Sequence, residues 1–429
     1  MIPTFARWLH SAQMRATLPL QFVQLWWRGR EHRGYRRRWR ERLVWGGPRA
    51  RPGALWLHAQ TLNEMQSAEV LIEKLRQLDP NWSVLLSHGD AEGRGQAQVQ
   101  ALLRPGDAQV WLPFDTPGAA RRFFARHRPR VGIFMERIAR PNLLHRAARA
   151  GVPMVLANAR LSAPDLLAAQ QRPALTMPGF QSLALVMAQS HADAMRLAQA
   201  GAQQVRVFGN LDFDVAPPVK LIARGLEWRH AMARPVVLAA GTREGEEEPL
   251  LDAWKAAPAP RPLLVIVPRG AKRLAQLAFA VRERGLELRR RSAWSALPPE
   301  EAHDADVWLG DLRNEMAMYY GLADVALLGG SFAPGQGGQT LIEASACGCP
   351  VLIGPHAGEH DNVAELALAA GAAQRMTTIA EAVTRAIALA GDRHRDTWVR
   401  NAFAFTAAHR GTVNRVVGAL LAQMTGRGA

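Results

Sequence analysis

Cysteine is nearly absent from this chain of 429 residues, which has only Cys347 and Cys349. A disulfide framework is thereby excluded, and a lone C-x-C lacks the companions of a zinc site. Both lie in an apolar, helix-like run and read as buried thiols of a reduced, cytosolic-facing protein. Lysine is scarce, at positions 74, 220, 255 and 272, so arginine carries the formal net charge of +16. Thr17–Trp27 is apolar but only about half the roughly 20 residues a spanning helix needs. It has no small-residue cleavage site, which argues against a cleaved signal peptide. The chain is too long for one small domain, and its 48% hydrophobic content supplies two ordinary cores. The same figure excludes a disordered, collagenous or coiled-coil chain.

The charge is unevenly placed. Residues 1–51 hold twelve arginines against Glu31 and Glu41, putting +10 of the +16 in the first eighth of the chain. Trp26, Trp27, Tyr35 and Trp39 interleave with Arg28 to Arg42. Such density calls for a polyanion. Aromatics beside arginines suit an interfacial anchor on an anionic membrane surface. A solvated basic helix whose aromatics pack on the body is the other reading. Nucleic acid is not expected, because no RNA-binding module follows.

After Pro52 the pattern is regular. Apolar runs at 54–59, 82–87, 108–113, 131–136, 153–158, 183–189 and 204–209 alternate with helical stretches such as 68–78, 119–126 and one from about Gly95. A second series runs through 235–240, 262–268, 286–292, 305–310, 324–330 and 350–354. This rhythm predicts α/β architecture with two doubly wound, Rossmann-like domains, each on a parallel sheet. The expected parts are a basic segment at 1–45, domains at 46–214 and 233–390, a linker at 215–232 and terminal helices at 391–429. A ligand is expected in a central cleft between the domains, at the carboxyl ends of the strands.

The richest segment is GGSFAPGQGGQTLIEASACGCPVLIGPH (329–356). A strand ends at Gly329-Gly330, a glycine loop follows, and a helix is expected near Gln339. Loop N–H groups and a helix start suit an anion. No Lys-Ser/Thr follows the last glycine, so this is no Walker A loop, nor is it a G-x-G-x-x-G fingerprint. Glu343, one turn into that helix, can accept from a ribose diol.

Taken together, these segments resemble the Kdo transferases of lipopolysaccharide synthesis (3-deoxy-D-manno-octulosonic acid transferases, glycosyltransferase family 30). That family has the two-domain GT-B architecture. The 329–356 segment is similar to its GGS-loop-GG-helix-GPH signature. In family order come WLPFD (111–115), PNLLHRAARAGVPMVLANARLS (141–162), AQSHADAMRLAQAGAQQVRVFGNLDFD (188–214), GTREGEEE (241–248), VPRGAKR (267–273) and DLRNEMAMYYGLADVALLGGSF (311–332). The similarity spans about residues 30–365.

The resemblance implies an inverting, metal-independent transferase without a cofactor. It would move Kdo, or a closely related acidic sugar, from its CMP conjugate to a lipid A-type acceptor at the cytoplasmic face of the bacterial inner membrane. Glu64 stands where the family has its catalytic base, which an alcohol nucleophile needs. Thr61-x-x-Glu64 also reads as a capping box, holding Glu64 against its own helix. On the donor side the family pattern implies Arg269 and, more loosely, Arg273, with Glu315, Gly330, Ser331, Gly337, Gly338, Gln339 and Glu343. An arginine fork suits a phosphate or a sugar carboxylate. Asn63, Glu136, Arg160 and Asn210 fall on the acceptor side; the last three serve equally as loop-fixing residues.

Several departures fall at functional positions. Asp212 replaces a family lysine, Arg137 and Ile138 stand in for Thr and the second Glu, Gln339-Thr340 replaces His-Asn, and Glu359-His360 falls where Asn-Phe is expected. Nucleotide-side residues keep the pattern better. Two other readings stay open: a GT-B enzyme with a different nucleotide sugar or acceptor, and an inactive paralogue that binds lipid or a partner.

Overall fold

The computed structural model describes residues 4–30, 33–36, 38–90, 102–232, 234–335, 339–392 and 395–425. The chain divides into two compact units, residues 1–215 with 410–429, and residues 216–409.

The first unit is built on β1 (Leu55–Ala59), β2 (Val84–His88), β3 (Ala108–Trp111), β4 (Val131–Met135), β5 (Met154–Ala159), β6 (Leu185–Ala188) and β7 (Val205–Val207). All pair in parallel, in the order β3-β2-β1-β4-β5-β6-β7. β1, β2 and β4 are buried at every position, because helices cover both faces of the sheet. On one face Trp56 packs on Phe123 at 4.6 Å and on Phe134 at 5.2 Å. On the other, Leu57 and Leu71 share a core with Val413, Val416 and Leu420 of the terminal helix Thr412–Met424. Strand order reverses between β1 and β4, so their carboxyl ends splay apart and leave a crevice.

The second unit carries β8 (Val236–Thr242), β9 (Leu263–Pro268), β10 (Leu288–Arg290), β11 (Val307–Leu309), β12 (Val325–Leu328), β13 (Val351–Ile353) and β14 (Ala373–Arg375). They too are parallel, in the order β10-β11-β9-β8-β12-β13-β14. Here the reversal lies between β8 and β12. Residues 215–232 carry the helix Val219–Met232, which packs on Met316–Leu322 backbone to backbone. A Cβ at Gly225 would stand 2.1 Å from the Met318 carbonyl oxygen, so no larger residue fits there.

Two expectations shift, and a third is untested. The helix expected through 68–78 starts at Leu62. The helix expected near Gln339 starts at Ile342 and ends at Ala346, too short for its dipole to hold an anion. The helix placed from about Gly95 lies outside the described residues.

Candidate active site

In the first unit the crevice is acidic. Thr61 caps the helix Leu62–Leu78 by accepting the Glu64 N–H at 3.3 Å. The Glu64 carboxylate in turn accepts the Gln60 N–H at 2.7 Å. The capping geometry is therefore formed, shifted by one residue from the usual box. It also fixes the carboxyl at the carboxyl end of β1. Glu64 is buried, and burial pushes its pKa up to about 8, with the Glu136 carboxylate nearby adding to the rise. The side chain that completes the cap is thus also the buried carboxyl with the raised pKa.

Glu136 follows β4 with φ 56°, and Asn158 lies in β5 with φ 52°. Non-glycine residues in this left-handed region carry strain, which the surrounding bonds must hold. Arg160 supplies one of those bonds, its Nε donating to Glu136 Oε2 at 2.8 Å. Asp212 accepts from the Ser67 hydroxyl at 2.6 Å and from Asn158 Nδ2 at 3.3 Å. Ser67 lies on the helix that carries Glu64. Burial raises the pKa of both Glu136 and Asp212, while Arg160 opposes the rise in each. Three carboxyls thus share one guanidinium, and burial makes each hold its proton more tightly than in water.

Of the other acceptor-side residues, Asn210 fixes its loop, its side chain accepting the Asp212 N–H at 2.9 Å. Asn63 sits in the first turn of the Glu64 helix, its carbonyl accepting the Ser67 hydroxyl at 3.4 Å.

The second unit is cationic at the corresponding place. Arg269 follows β9 and is exposed; partial burial and the neighbouring Arg243 guanidinium at the end of β8 lower its pKa. Its side chain makes no hydrogen bond or ion pair among the described residues. Arg273 is different. It pairs with Glu247, Nε to Oε2 at 2.9 Å, and with Glu244 at 3.2 Å, while the Thr242 hydroxyl donates to Glu247 at 3.0 Å. Arg273 is therefore spent inside the unit. Glu315 is held by Arg291 at 2.9 Å, and that guanidinium lies 4.7 Å from the Trp228 ring centroid.

The start of the glycine loop is already occupied from within. Gly330 (φ 75°) donates its N–H to both oxygens of Glu246 at 2.8 Å, and Phe332 donates to Oε1 at 3.1 Å. The Arg243 N–H also reaches Glu246, at 3.0 Å. Gly330 thus binds an anion, but one supplied by the chain itself. Ser331 is spent as well, its hydroxyl donating to the Leu328 carbonyl at 2.5 Å and accepting the Gly354 N–H at 2.8 Å. Gly337 and Gly338 lie outside the described residues.

Gln339 packs against β8, where a Cβ on Gly241 would stand 2.2 Å from its Oε1. Thr340 accepts the Ile342 N–H at 3.4 Å. Glu359 belongs to the turn Gly358–His360, and its side chain lies outside what is described. The Glu343 carboxyl has no hydrogen bond or ion pair among the described residues, and burial pushes its pKa up to about 7.

Sequence reasoning missed Glu246 and Arg243. Both lie in GTREGEEE, a segment quoted for its family likeness but read no further.

Comparison with known proteins is consistent with this geometry. The family model described as 3-deoxy-D-manno-octulosonic-acid transferase (kdotransferase) matches residues 37–215, ending where the first of the two segments of the first unit ends. A 3-deoxy-D-manno-octulosonic acid transferase of Bordetella pertussis is 40% identical, over 96% of this chain and 98% of its own. One of Haemophilus influenzae is 28% identical over 82% and 83%. Among solved structures, Anabaena HepE in complex with UDP is 14% identical, covers 86% of this chain and 99% of its own, and gives a TM-score of 0.59. Two parallel-sheet α/β units and that likeness make the fold GT-B. With 40% identity over nearly the full length of both chains, this protein belongs to the 3-deoxy-D-manno-octulosonic acid transferase family, and is a glycosyltransferase.

Proposed function

We propose that the protein transfers Kdo from CMP-Kdo to a lipid A-type acceptor in lipopolysaccharide biosynthesis. The first unit supplies the base and the acceptor site; the second holds the donor. Glu64 carries the reading: a buried carboxyl whose pKa of about 8 suits a base working near neutral pH. It takes the proton of the acceptor hydroxyl as that oxygen attacks the anomeric carbon. The bond to the CMP phosphate breaks, and CMP leaves with the electron pair. Arg269, with Arg243 beside it, meets the anionic donor and the leaving phosphate, where a fixed cation stabilises developing charge. Glu343 accepts from the ribose hydroxyls.

The acceptor is a lipid, and the N-terminal helix Thr4–Arg28 is built for a lipid surface. His10 Nε2 lies 2.9 Å from Asp115, and the Ser11 hydroxyl donates to Asn142 at 3.1 Å, tying the helix to the unit. Phe5, Trp8, Leu9, Leu20, Val23 and Trp27 all remain more than half exposed. Arg30 lies 4.9 Å from the Trp26 ring centroid. Tyr35 packs instead on Trp111, and Trp39 on Phe22, so the aromatics divide between body and solvent. Among the described residues no helix is long and apolar enough to cross a membrane. An exposed apolar row with arginines beside it fits peripheral binding to the anionic cytoplasmic leaflet.

The test is turnover: purified protein, CMP-Kdo and a tetra-acylated lipid A precursor, with CMP release as the readout. Turnover that is lost in Glu64→Gln supports the reading. No turnover of this pair, together with a melting shift from UDP and none from CMP, would replace it with another nucleotide sugar.

A further inference from the structure

The first unit contains a cavity of about 450 Å³ that opens beside the acidic crevice. It is lined by the polar pair Glu136 and Arg160 and by the apolar side chains of Ile138, Leu161, Phe180 and Leu197. The helices Ala163–Gln170 and Pro173–Gln181 run along it. They also carry Leu167 and Met177, which are 61% and 41% exposed. Two further lining residues, Arg137 and Arg172, are exposed cations. Apolar walls, cations in the lining and exposed apolar side chains on the same helices together describe a site for an anionic amphiphile.

We infer that this cavity takes one acyl chain of a phosphorylated lipid, with Arg137 and Arg172 on its headgroup. A methylene takes close to the roughly 30 Å³ that one water occupies in the liquid, so the space holds a single chain of about fifteen methylenes. The occupant is amphiphilic because the walls are apolar while the exposed charges in the lining are largely positive. Asp165, 3.8 Å from Arg137, offsets only part of that charge. The inference rests on the acceptor reading above, to which it adds a chain subsite. Ile138 and Arg137, which depart from the family pattern, supply one wall and one cation of it.

The test uses the full chain and single-chain alkyl phosphates below their micellar concentrations, followed by calorimetry. Dodecyl phosphate should bind with 1:1 stoichiometry and octyl phosphate more weakly, by roughly fourfold per methylene removed; inorganic phosphate should not bind measurably. Ala169→Trp, which fills the cavity, and Ala168→Phe, at an exposed lining position, should each weaken dodecyl phosphate at least thirtyfold. Both should keep the wild-type melting transition and any CMP-induced melting shift. Trp8→Ser, on the N-terminal helix, should leave binding unchanged.

Binding that survives both filled variants, or that is lost in Trp8→Ser, overturns the inference. In turnover, the filled variants should raise KM for a tetra-acylated acceptor at least tenfold and leave an acyl-free analogue unaffected. An unchanged KM for the acylated acceptor would sink the subsite and leave the transferase reading standing. Loss of all turnover in wild type, with Ala169-sensitive alkyl phosphate binding intact, would sink the acceptor reading and keep the cavity.

Discussion

The two units share a fold plan and differ at the same place. At the switch between β1 and β4, Glu64, Glu136 and Asp212 crowd round Arg160, and burial raises the pKa of all three carboxyls. At the switch between β8 and β12, Arg243 and Arg269 stand together, and Glu246 is fastened to backbone N–H groups. One crevice retains protons; the other collects negative charge. A reaction that takes a proton from an alcohol and expels a nucleotide phosphate needs one of each. The parallel sheet is common to both, so the difference lies in the few side chains that follow the strands.

This contrast can be broken from either side. Glu64→Gln should have the largest effect, lowering kcat about a thousandfold with donor KM little changed. In the wild type, kcat/KM should rise with pH through about 8, because the base works only when ionised. Stability should move the other way. The folded carboxyl has a pKa of about 8 against 4.5 unfolded, so the folded state binds the extra proton and stability falls as pH rises across that interval. Glu64→Gln should therefore raise the melting temperature at pH 8.5 and leave it unchanged at pH 4.

Arg269→Gln should raise donor KM by about 10- to 100-fold, the scale of one charge-assisted hydrogen bond, and spare acceptor KM. Glu246→Gln removes the charge that Gly330 and Phe332 bind. Donor KM should rise about tenfold and the second unit should lose about 1–3 kcal/mol, read from chemical denaturation. Glu343→Gln should be milder, weakening CMP a few-fold. It should also flatten a dependence in which wild-type affinity strengthens as pH rises through about 7 and the carboxyl ionises. Arg273→Gln should be smallest, with donor KM within about twofold of wild type, because that guanidinium is bound to Glu247. A large donor defect there would reassign Arg273 to the site.

The sheets were legible because buried parallel strands are written as short apolar runs, and VVLAA or LLVIV admits few other readings. β14 escaped because Ala373-Gln374-Arg375 is a short, half-polar edge strand with no such run. The site was legible only in part. Glu64 could be placed from its local pattern, and the structure shows that its cap and its burial coincide. Glu246 could not, because its partners lie 84 and 86 residues away and a carboxylate among GEEE looks like a solvated run. The partner of Arg273 was hidden for the same reason: Glu247, the acid it pairs with, lies 26 residues back in the chain.

The helix Thr412–Met424 belongs to the first unit's core, although the whole second unit is encoded before it. A ribosome therefore finishes residues 216–409 while one face of the earlier sheet still lacks Val413, Val416 and Leu420. The second unit can close on its own during synthesis, whereas the first must wait with apolar surface uncovered, the state in which nascent chains call on chaperones. Fragments that stop before residue 410 should accordingly aggregate through the half that was translated first.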